Sequence, residues 1–511
     1  FDNGDPTWPA KLDSFFTTND MRDLFGDDVC IPRLSTSDYC YLWGIYWDWY
    51  QTVLELSTGG HCLGMSVSSQ MLYYDPSTYN IFPTQDTLVY SKDVNLQNFQ
   101  PGNFIIKNHV KQFASPVRNY KYINWGGMDV NFVLDGLTYR LLRNMGGDLE
   151  IDNGLGVWHS ITPIALVENA DGLKNIVVYD NNSHGQHNEL RINPTNKAWG
   201  YYSSSGSLII ANDNSKLLLI PLDLFTGTQK LTADDLLTIL VQGNIGDIRS
   251  FAKDATGKVT GWFEGIASIE IPGSAIIPLS VDADSTQLGY YLPTGQDYTF
   301  YLEPTLDGTS GTVFLSGFSE KSSFVMDNVT VNADTKDAIT LGWSENRITY
   351  QPNTPQEISW SFSMLAEEAQ GFSVRLNHFK IDPGAQAVIE WDENQESLIV
   401  TTGGESSYSI EIQRRSASQA DVFSSTQVQM KPGQSHIYNL ATWDGTGKMT
   451  VQIDTDQDGA ANRSIKLKNE ASLSQASPGI MSTSRIIGVI MLVTGLALIM
   501  YSSIRLKKIL S

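Results

Sequence analysis

The chain has 511 residues, of which 41% are apolar and 11% aromatic, a composition typical of a folded protein and not of a disordered one. Its length predicts two to four domains. With 34 basic and 56 acidic residues the net charge is −22, which argues against a nucleic acid partner because phosphate neutralisation requires clustered Lys and Arg.

The N-terminal region contains three cysteines and starts at Phe1 instead of Met, which suggests that a secretory signal peptide has been removed. Cys30 and Cys40 lie close together among turn residues, so we expect a disulfide between them. Cys62 is then the odd thiol, and an odd thiol in an exported protein requires a reason.

Cys62 stands at the predicted start of a helix. Gly59 and Gly60 interrupt the preceding structure, and the apolar spacing that follows predicts a helix over residues 62–74. Helix amides at this position favour the thiolate, which is the nucleophilic form of cysteine. The pattern therefore predicts a catalytic nucleophile, with a buried apolar cysteine as the alternative. We expect the adjacent His61 to be a neighbour and not the base.

A candidate base and orienting residue lie on a predicted hairpin. Residues 161–167 and 175–179 are predicted strands with a turn signal between them. His159 begins the first strand and is the candidate base. Asp180 follows the second strand and is the candidate residue that orients the imidazole, with Asn181 as the alternative.

The hairpin also has a predicted register. If Glu168 lies opposite Leu173, antiparallel pairing places His159 opposite Asn182 and next to Asp180. We therefore expect the imidazole and the carboxylate to meet at the open end of the hairpin.

The order of these residues resembles that of the papain-like cysteine peptidases, in which a Cys at a helix N-terminus precedes a His on one strand and an Asn or Asp on the next. The chain is especially similar to exported bacterial and archaeal members with Gly-Gly-His-Cys-x-Gly-Met-Ser, His-x-x-x-Pro and Val-Tyr-Asp-Asn-Asn elements. Here these elements stand at residues 59–66, 159–163 and 178–182. The resemblance covers roughly the first 240 residues. It implies an α+β papain-like domain that hydrolyses amide bonds through a thioester and needs no cofactor for catalysis.

The oxyanion donor departs from the family pattern. Papain-like enzymes usually carry a Gln about six residues before the nucleophile, whereas Leu56 stands there in this chain. Gln51 is the nearest upstream Gln and is the candidate donor, with the backbone amide of Cys62 as the second.

The remaining chain is predicted to be rich in strands. Residues 232–242 are predicted to form a last helix of the first domain, which we place at 1–245. Short alternating segments separated by turn residues then predict two β-sandwich modules, at 246–345 and 346–468. The sequence shows no convincing internal repeat at a fixed period.

A candidate calcium loop lies near the end of the second module. Its acidic residues are spaced as in the opening of a calcium-binding loop, but Ile465 replaces the bidentate Glu expected at the twelfth position. A weak calcium site and an acidic hairpin turn are both open interpretations. The candidate ligands are Asp454, Asp456, Asp458, Ala460 and Asn462.

The C-terminus predicts a membrane anchor. Residues 469–485 read as a flexible stalk, residues 486–504 are almost entirely apolar, and residues 505–511 are basic. Nineteen residues at a rise of about 1.5 Å span about 28 Å, which matches the hydrocarbon core of a bilayer. We therefore expect a single-pass protein of the cell membrane, with its N-terminal part outside and its C-terminus in the cytoplasm.

Three functional hypotheses follow. The first is a surface-anchored papain-like cysteine peptidase that acts on a peptide or protein through Cys62. The second is a catalytically degenerate adhesion protein in which the β modules bind a cell-surface ligand. The third is transglutaminase-like amide transfer, which uses the same Cys, His and Asp.

Overall fold

The structure is a computed structural model. It describes residues 15–470 except for short gaps at 33–34, 58–60, 76–98, 125–126, 153–157, 184–185, 212–214, 232–235, 244–247, 264–265, 279–285, 305–309, 343–345, 367–369, 393–395, 416–419 and 446. The described elements up to residue 469 belong to one compact unit.

Six α-helices occur among the described residues, all of them before the first strand. They are α1 Thr18–Phe25, α2 Gly44–Leu56, α3 Cys62–Tyr74, α4 Phe99–Val110, α5 Val117–Ile123 and α6 Val130–Leu141.

Helix α3 follows the predicted bounds, and its burial explains why it forms. Leu63, Val67 and Met71 recur at the helical spacing of four residues and pack into one apolar cluster with Trp158. On another side α3 lies against α4, and a Cβ added at Gly64 would come within 2.3 Å of the Ile105 carbonyl oxygen. The close approach of the two helices therefore requires glycine at this position.

A seven-stranded antiparallel sheet follows the helices. Its strands lie side by side in the order β6-β5-β4-β3-β2-β1-β7. The strands are β1 Gly147–Asp152, β2 Trp158–Glu168, β3 Lys174–Tyr179, β4 His187–Ile192, β5 Trp199–Tyr202, β6 Leu208–Ala211 and β7 Lys216–Pro221. Helix α3 packs against β1 and β2, whereas α6 packs against β2 and β7.

The rest of the described chain forms two larger antiparallel sheets. One has nine strands in the order β12-β13-β8-β15-β16-β19-β20-β23-β24, and the other has eleven in the order β11-β10-β9-β14-β17-β18-β21-β22-β25-β26-β27. One continuous hydrophobic core includes residues of both sheets.

The strands of these two sheets have the following bounds: β8 Leu236–Gly243, β9 Ile248–Asp254, β10 Val259–Phe263, β11 Ile266–Ile269, β12 Ala275–Pro278, β13 Thr286–Pro293, β14 Tyr298–Pro304, β15 Gly311–Phe318, β16 Ser322–Val331, β17 Asp337–Gly342, β18 Arg347–Gln351, β19 Gln356–Ala366, β20 Gln370–Ile381, β21 Ala387–Asp392, β22 Ser397–Thr402, β23 Ser406–Arg415, β24 Ala420–Met430, β25 Gln434–Asn439, β26 Met449–Asp454 and β27 Arg463–Leu467.

The second half of the sandwich contains a structural repeat that the sequence did not reveal. From β16 onward, a long strand of the nine-stranded sheet is followed by two short strands of the other sheet and then by a long strand back in the first. Asn328, His378 and Gln427 occupy the same place in three successive units, 50 and 49 residues apart, with φ of 63°, 57° and 56°. The strand pairing shifts register at each of these residues, so each marks a β-bulge. The three bulge residues differ in type, so the repeat at these positions is one of backbone geometry.

The predicted fold class, an α+β papain-like domain followed by β-sandwich modules and a transmembrane helix, is wrong. Strands account for 49% of the structure, and the six helices of its described part are short. One cause is the predicted helix at 232–242, because residues 236–243 form strand β8 in the middle of the nine-stranded sheet. Residues 237–243 are buried in succession, and a short continuous apolar run of this kind does not distinguish a strand from a helix.

The prediction of a single-pass membrane protein is not supported. Within the part of the chain that the structure describes, no helix is both long and apolar enough to cross a bilayer. The apolar segment at 486–504, its stalk and its basic tail lie outside the described residues.

Candidate active site

The candidate nucleophile Cys62 is the first residue of α3 and is buried. The first helical hydrogen bond runs from the amide of Met65 to the carbonyl of His61 at 2.9 Å, so the amides of residues 62–64 lie in the turn that has no helical acceptor. His61 precedes the helix and gives it no side-chain cap. Cys62 therefore stands in the N-terminal turn of α3, where the backbone amides carry a partial positive charge.

The candidate base and its orienting residue are in direct contact. His159 lies on β2, and Asp180 directly follows β3. The imidazole Nε2 is 2.8 Å from Oδ1 of Asp180, and the imidazole is only 13% exposed. The carboxylate therefore fixes the orientation of the ring, as an orienting residue must.

A β-bulge in the β2–β3 hairpin determines where His159 and Asp180 meet. At the turn end of the hairpin Glu168 pairs with Lys174, one residue away from the predicted partner. The pairing shifts between Pro163 and Ala165, and beyond the shift Thr162 pairs with Tyr179. The register at the site end is therefore the predicted one, which directs His159 towards Asp180 and the residues after it.

Four donors surround the Asp180 carboxylate. Oδ1 accepts from His159 and from the backbone amide of Asn182 at 2.8 Å, and Oδ2 accepts from the Tyr201 hydroxyl at 2.5 Å and from Nδ2 of Asn188 at 3.3 Å. Burial alone would raise the pKa of Asp180, but the hydrogen bonds from His159, Tyr201 and Asn182 outweigh it and lower the pKa. The carboxylate is therefore charged at every pH at which the site could work.

Cys62 is close enough to the His159 imidazole to affect its pKa. Burial lowers the pKa of His159, but hydrogen bonding to Asp180 and Cys62 and their negative charges raise it to about 10 overall. Asp180 engages Nε2, whereas Nδ1 has no hydrogen-bond partner among the described residues. Catalytic hydrogen bonds are often long before a substrate binds, so Nδ1 is the ring nitrogen available to the thiol. Cys62, His159 and Asp180 are therefore a candidate catalytic triad.

Asn181 has a role different from the predicted one. Its Nδ2 donates to the backbone carbonyl of Cys62 at 3.1 Å, and it does not orient the imidazole. The residue that follows the orienting carboxylate therefore ties the nucleophile's backbone to the hairpin that carries the base.

Tyr201 and Asn188 are site residues that sequence reasoning missed. They lie on β5 and β4, and Asn188 also donates to the Tyr201 hydroxyl at 2.7 Å. Neither belongs to a local motif, and their proximity to Asp180 depends on the pairing of three successive strands. Only a correct register for the whole sheet would have identified them.

The candidate oxyanion donor Gln51 lies in α2. That helix packs against β15, β16, β19 and β20 of the nine-stranded sheet. Within the described part of the chain no hydrogen bond between Gln51 and the Cys62 region is recorded. The unpaired amides of the first turn of α3 are the better candidates for the oxyanion donors.

The predicted disulfide is confirmed. Cys30 and Cys40 are bonded, with their Cα atoms 5.3 Å apart, and Cys62 is the free cysteine. The bond closes the segment between α1 and α2, where both cysteines are buried.

The candidate calcium ligands meet at the hairpin between β26 and β27. One ligand oxygen from each of Asp454, Asp456 and Asp458 lies within 4.8 Å of the others. However, Asp454 already accepts backbone amides from Asp456, Gln457 and Gly459, which is the pattern of a turn closed by an aspartate. Asn462 donates its amide to Thr455 and Asp456, so that its Nδ2 faces the loop. The geometry is compatible both with a weak calcium site and with an acidic hairpin turn.

No family model, curated protein or solved structure matches the chain.

Proposed function

We propose that this protein is a cysteine peptidase that hydrolyses amide bonds through a thioester on Cys62. The observation that carries the proposal is the pairing of His159 with Asp180, in which the carboxylate holds Nε2 at 2.8 Å, together with the influence of Cys62 on the imidazole, whose pKa it raises. Chain order and residue type agree with the papain-like resemblance. That resemblance supports the chemistry alone, because the α+β papain-like fold that it implied is not observed.

The reaction has two half-reactions, and His159 acts as an acid in the first and as a base in the second. The Cys62 thiolate attacks the substrate carbonyl, a sulfur–carbon bond forms, and the negative charge moves to the carbonyl oxygen. The His159 imidazolium then donates its proton to the amide nitrogen as the carbon–nitrogen bond breaks and the amine leaves. Water, deprotonated by the now neutral His159, hydrolyses the thioester and regenerates the ion pair.

Two features of the site lower the barrier to this sequence. The amides at the start of α3 can donate to the developing oxyanion, and each such donor is typically worth about 10²–10³ in rate. Asp180 keeps its charge because its pKa is lowered, so it stabilises the imidazolium in both half-reactions.

The experiment uses the full chain and an electrophilic peptide probe directed at thiol peptidases. We expect the folded protein to be labelled at Cys62, as located by peptide mass spectrometry, and Cys62→Ser to remain unlabelled. His159→Gln should reduce labelling strongly while leaving the fold intact. Labelling that occurs only after unfolding would mean that Cys62 is a structural thiol.

Two results would support one of the alternative functions instead of peptide hydrolysis. If the probe labels Cys62 but casein and peptide libraries are not cleaved, addition of a primary amine together with a glutamine-containing peptide separates amide transfer from hydrolysis, because transfer incorporates the amine. If neither reaction occurs, the degenerate binding protein is the better interpretation.

A further inference from the structure

Arg118 is a buried cation at the contact between the N-terminal helices and the nine-stranded sheet. It is the second residue of α5, which packs against β12, and it is only 3% exposed. Its guanidinium carbon lies 5.3 Å from the centroid of the Tyr291 ring, which belongs to β13. Burial lowers the pKa of Arg118, but a guanidinium stays protonated in a protein. Arg118 therefore brings a positive charge into the interior.

Only Nη1 of this guanidinium has a hydrogen-bond partner among the described residues. It donates to the backbone carbonyl of Phe113 at 3.1 Å. Nε and Nη2 are buried without a partner in the described part of the chain, and no carboxylate there forms an ion pair with Arg118. The Tyr291 ring attracts the cation, but an aromatic ring carries no net charge. A buried charge is costly unless it is paired, so an anion at the Nε–Nη2 edge would stabilise the structure.

A second arginine shows how such an edge is satisfied within the chain. The guanidinium carbon of Arg414 also lies 5.3 Å from an aromatic centroid, that of Trp443, and its Nη1 donates to the carbonyl of Leu440 at 2.8 Å. Its Nε and Nη2 both donate to Oδ2 of Asp421, at 3.2 and 2.7 Å. The two arginines therefore share a ring contact and a carbonyl contact. They differ at the Nε–Nη2 edge, where Arg414 has a carboxylate and Arg118 has none among the described residues.

The face of the sheet beneath Arg118 carries hydroxyl groups. The Tyr291 hydroxyl is buried and has no hydrogen-bond partner among the described residues. Thr238 of β8 lies directly opposite Tyr291, so the two side chains share one face of the sheet. Within the same described part, the buried Thr238 hydroxyl also has no partner. Both hydroxyls can donate to an anion, as can the two remaining donors of Arg118.

We propose that Arg118 binds a small monovalent anion such as chloride, which takes the place at its Nε–Nη2 edge that the Asp421 carboxylate takes at Arg414. One negative charge matches the single charge of Arg118. The near-complete burial of Arg118, Tyr291 and Thr238 favours the smallest anions. Because the ion neutralises a charge where α5 lies against the sheet, its binding stabilises the folded protein. The inference does not depend on the proposed peptidase activity.

The first test is the anion dependence of the thermal stability of the full chain. The protein is dialysed into sodium gluconate, whose anion is too bulky for a closed site, and gluconate is replaced stepwise by chloride at constant ionic strength. The Tm should rise by about 1–3 °C for each tenfold increase in chloride above its Kd, and bromide should act alike. Equal Tm values in gluconate and chloride would overturn the proposal. A rise with formate and none with chloride or bromide would overturn it as well.

Two variants show whether the effect comes from Arg118. Arg118→Met removes the charge, keeps much of the side-chain volume and should abolish the rise with chloride. Arg191→Gln is the matched control, because Arg191 also lies over a tyrosine ring, 4.4 Å from the Tyr202 centroid, but is partly exposed and paired with Glu189 at 3.0 Å. It should keep the whole rise. An undiminished rise in Arg118→Met would show that chloride acts elsewhere, contrary to the proposal.

Crystals of the wild type grown in bromide locate the ion even if Arg118→Met does not fold. Bromide scatters anomalously, so an anomalous peak is expected beside Nε and Nη2 of Arg118. Arg414 is the internal reference and should show no peak, because Asp421 already engages the same two donors. No peak at Arg118 would overturn the proposal. A peak without any rise in Tm would mean binding at crystal concentration only, which would also overturn it.

Discussion

Tyr201 donates its hydroxyl to Oδ2 of Asp180 at 2.5 Å, although Asp180 directly follows β3, Tyr201 lies on β5, and β4 lies between these strands. This contact places a buried donor on the side of the carboxylate that faces away from His159. Asp180 is thereby held by groups on both of its oxygens, and only one of those groups is the base itself. The orientation of His159 consequently depends on β5, which carries none of the three proposed catalytic residues.

Removal of this hydroxyl should lower activity without changing the fold. A hydrogen bond to a charged group contributes about 1.5–3 kcal/mol, so Tyr201→Phe should reduce kcat/KM by about tenfold or more, chiefly through kcat. The pKa of His159 should fall at the same time, because a less well fixed carboxylate stabilises the imidazolium less. Steady-state kinetics and NMR titration of the imidazole measure the two effects.

Tyr202→Phe provides the matched control for that variant. Tyr202 is the next residue, is half-buried, and stacks beneath the Arg191 guanidinium with 4.4 Å between the guanidinium carbon and the ring centroid. The substitution keeps that ring and leaves Asp180 untouched, so kcat/KM should stay within about twofold of the wild type. Equal losses in both variants would show that Tyr201 acts through general packing of β5.

The His159–Asp180 pair should make stability depend on pH in two windows. The pKa of His159 is raised from 6.5 to about 10 in the native state, so between these values the native state binds more protons than the unfolded state. The free energy of unfolding therefore falls as the pH rises from about 6.5 to 10, and the stabilisation is fully present below 6.5. The lowered pKa of Asp180 acts in the opposite sense, and its contribution is lost as the pH falls below 3.8.

Chemical denaturation of the wild type and His159→Gln over this range isolates the pair from other groups. The difference in free energy of unfolding should be largest near pH 6 and should shrink steadily towards pH 10. A difference that is constant over this range would mean that His159 is neutral in the native state. In that case the thiolate–imidazolium pair would not exist before a substrate binds.

Local signals in the sequence were sufficient for the central elements of the site. Two glycines and an apolar spacing predicted α3 with its observed ends, and a turn signal with alternating residues predicted the β2–β3 hairpin. The bulge within that hairpin did not displace His159 from Asp180. The extra residue at the bulge offsets the one-residue difference in pairing at the turn, so the register at the site end is the predicted one.

Features that depend on pairing between distant segments of the chain could not be predicted from the sequence. Tyr201 meets Asp180 only after β3, β4 and β5 have aligned. Strand β8 was assigned to a helix because its two buried faces remove the alternation that usually marks a strand. The sandwich repeat escaped detection because three different residues, Asn328, His378 and Gln427, stand at its equivalent bulge positions.

Calcium in the β26–β27 hairpin stays a prediction, and it has a direct test. If the loop binds calcium with a Kd near 1 mM, as weak extracellular sites do, 10 mM calcium should raise the Tm by about 1–3 °C. Asp456→Asn should abolish the shift, because Asp456 is not needed to close the turn and its carboxylate is exposed. Asp444→Asn, in another exposed turn, should retain it, and an equal rise with magnesium would indicate a general effect of salt.

The last prediction concerns how far the helical region depends on the sandwich. Asp48 of α2 is 2% exposed, and it accepts hydrogen bonds from Ser323 of β16 at 2.7 Å and Ser361 of β19 at 3.3 Å. At the start of the same helix a Cβ added at Gly44 would lie 2.9 Å from Cβ of Ser373, so the backbone of α2 rests directly on the sheet. Strand β8 also lies between β13 and β15, which both follow it in the chain.

A fragment of residues 1–245 would lose all of these partners at once. It would expose the buried face of α2, leave Asp48 without its serines, and remove both neighbours of β8. We expect this fragment to lack a cooperative thermal transition and to show no selective labelling of Cys62, whereas residues 1–469 should show both. In the full chain Asp48→Ala should lower the free energy of unfolding by about 1–3 kcal/mol, because two buried hydroxyls lose their acceptor. A folded and reactive 1–245 fragment would establish instead that the catalytic region is an independent domain, and that its contacts with the sandwich are a docked interface.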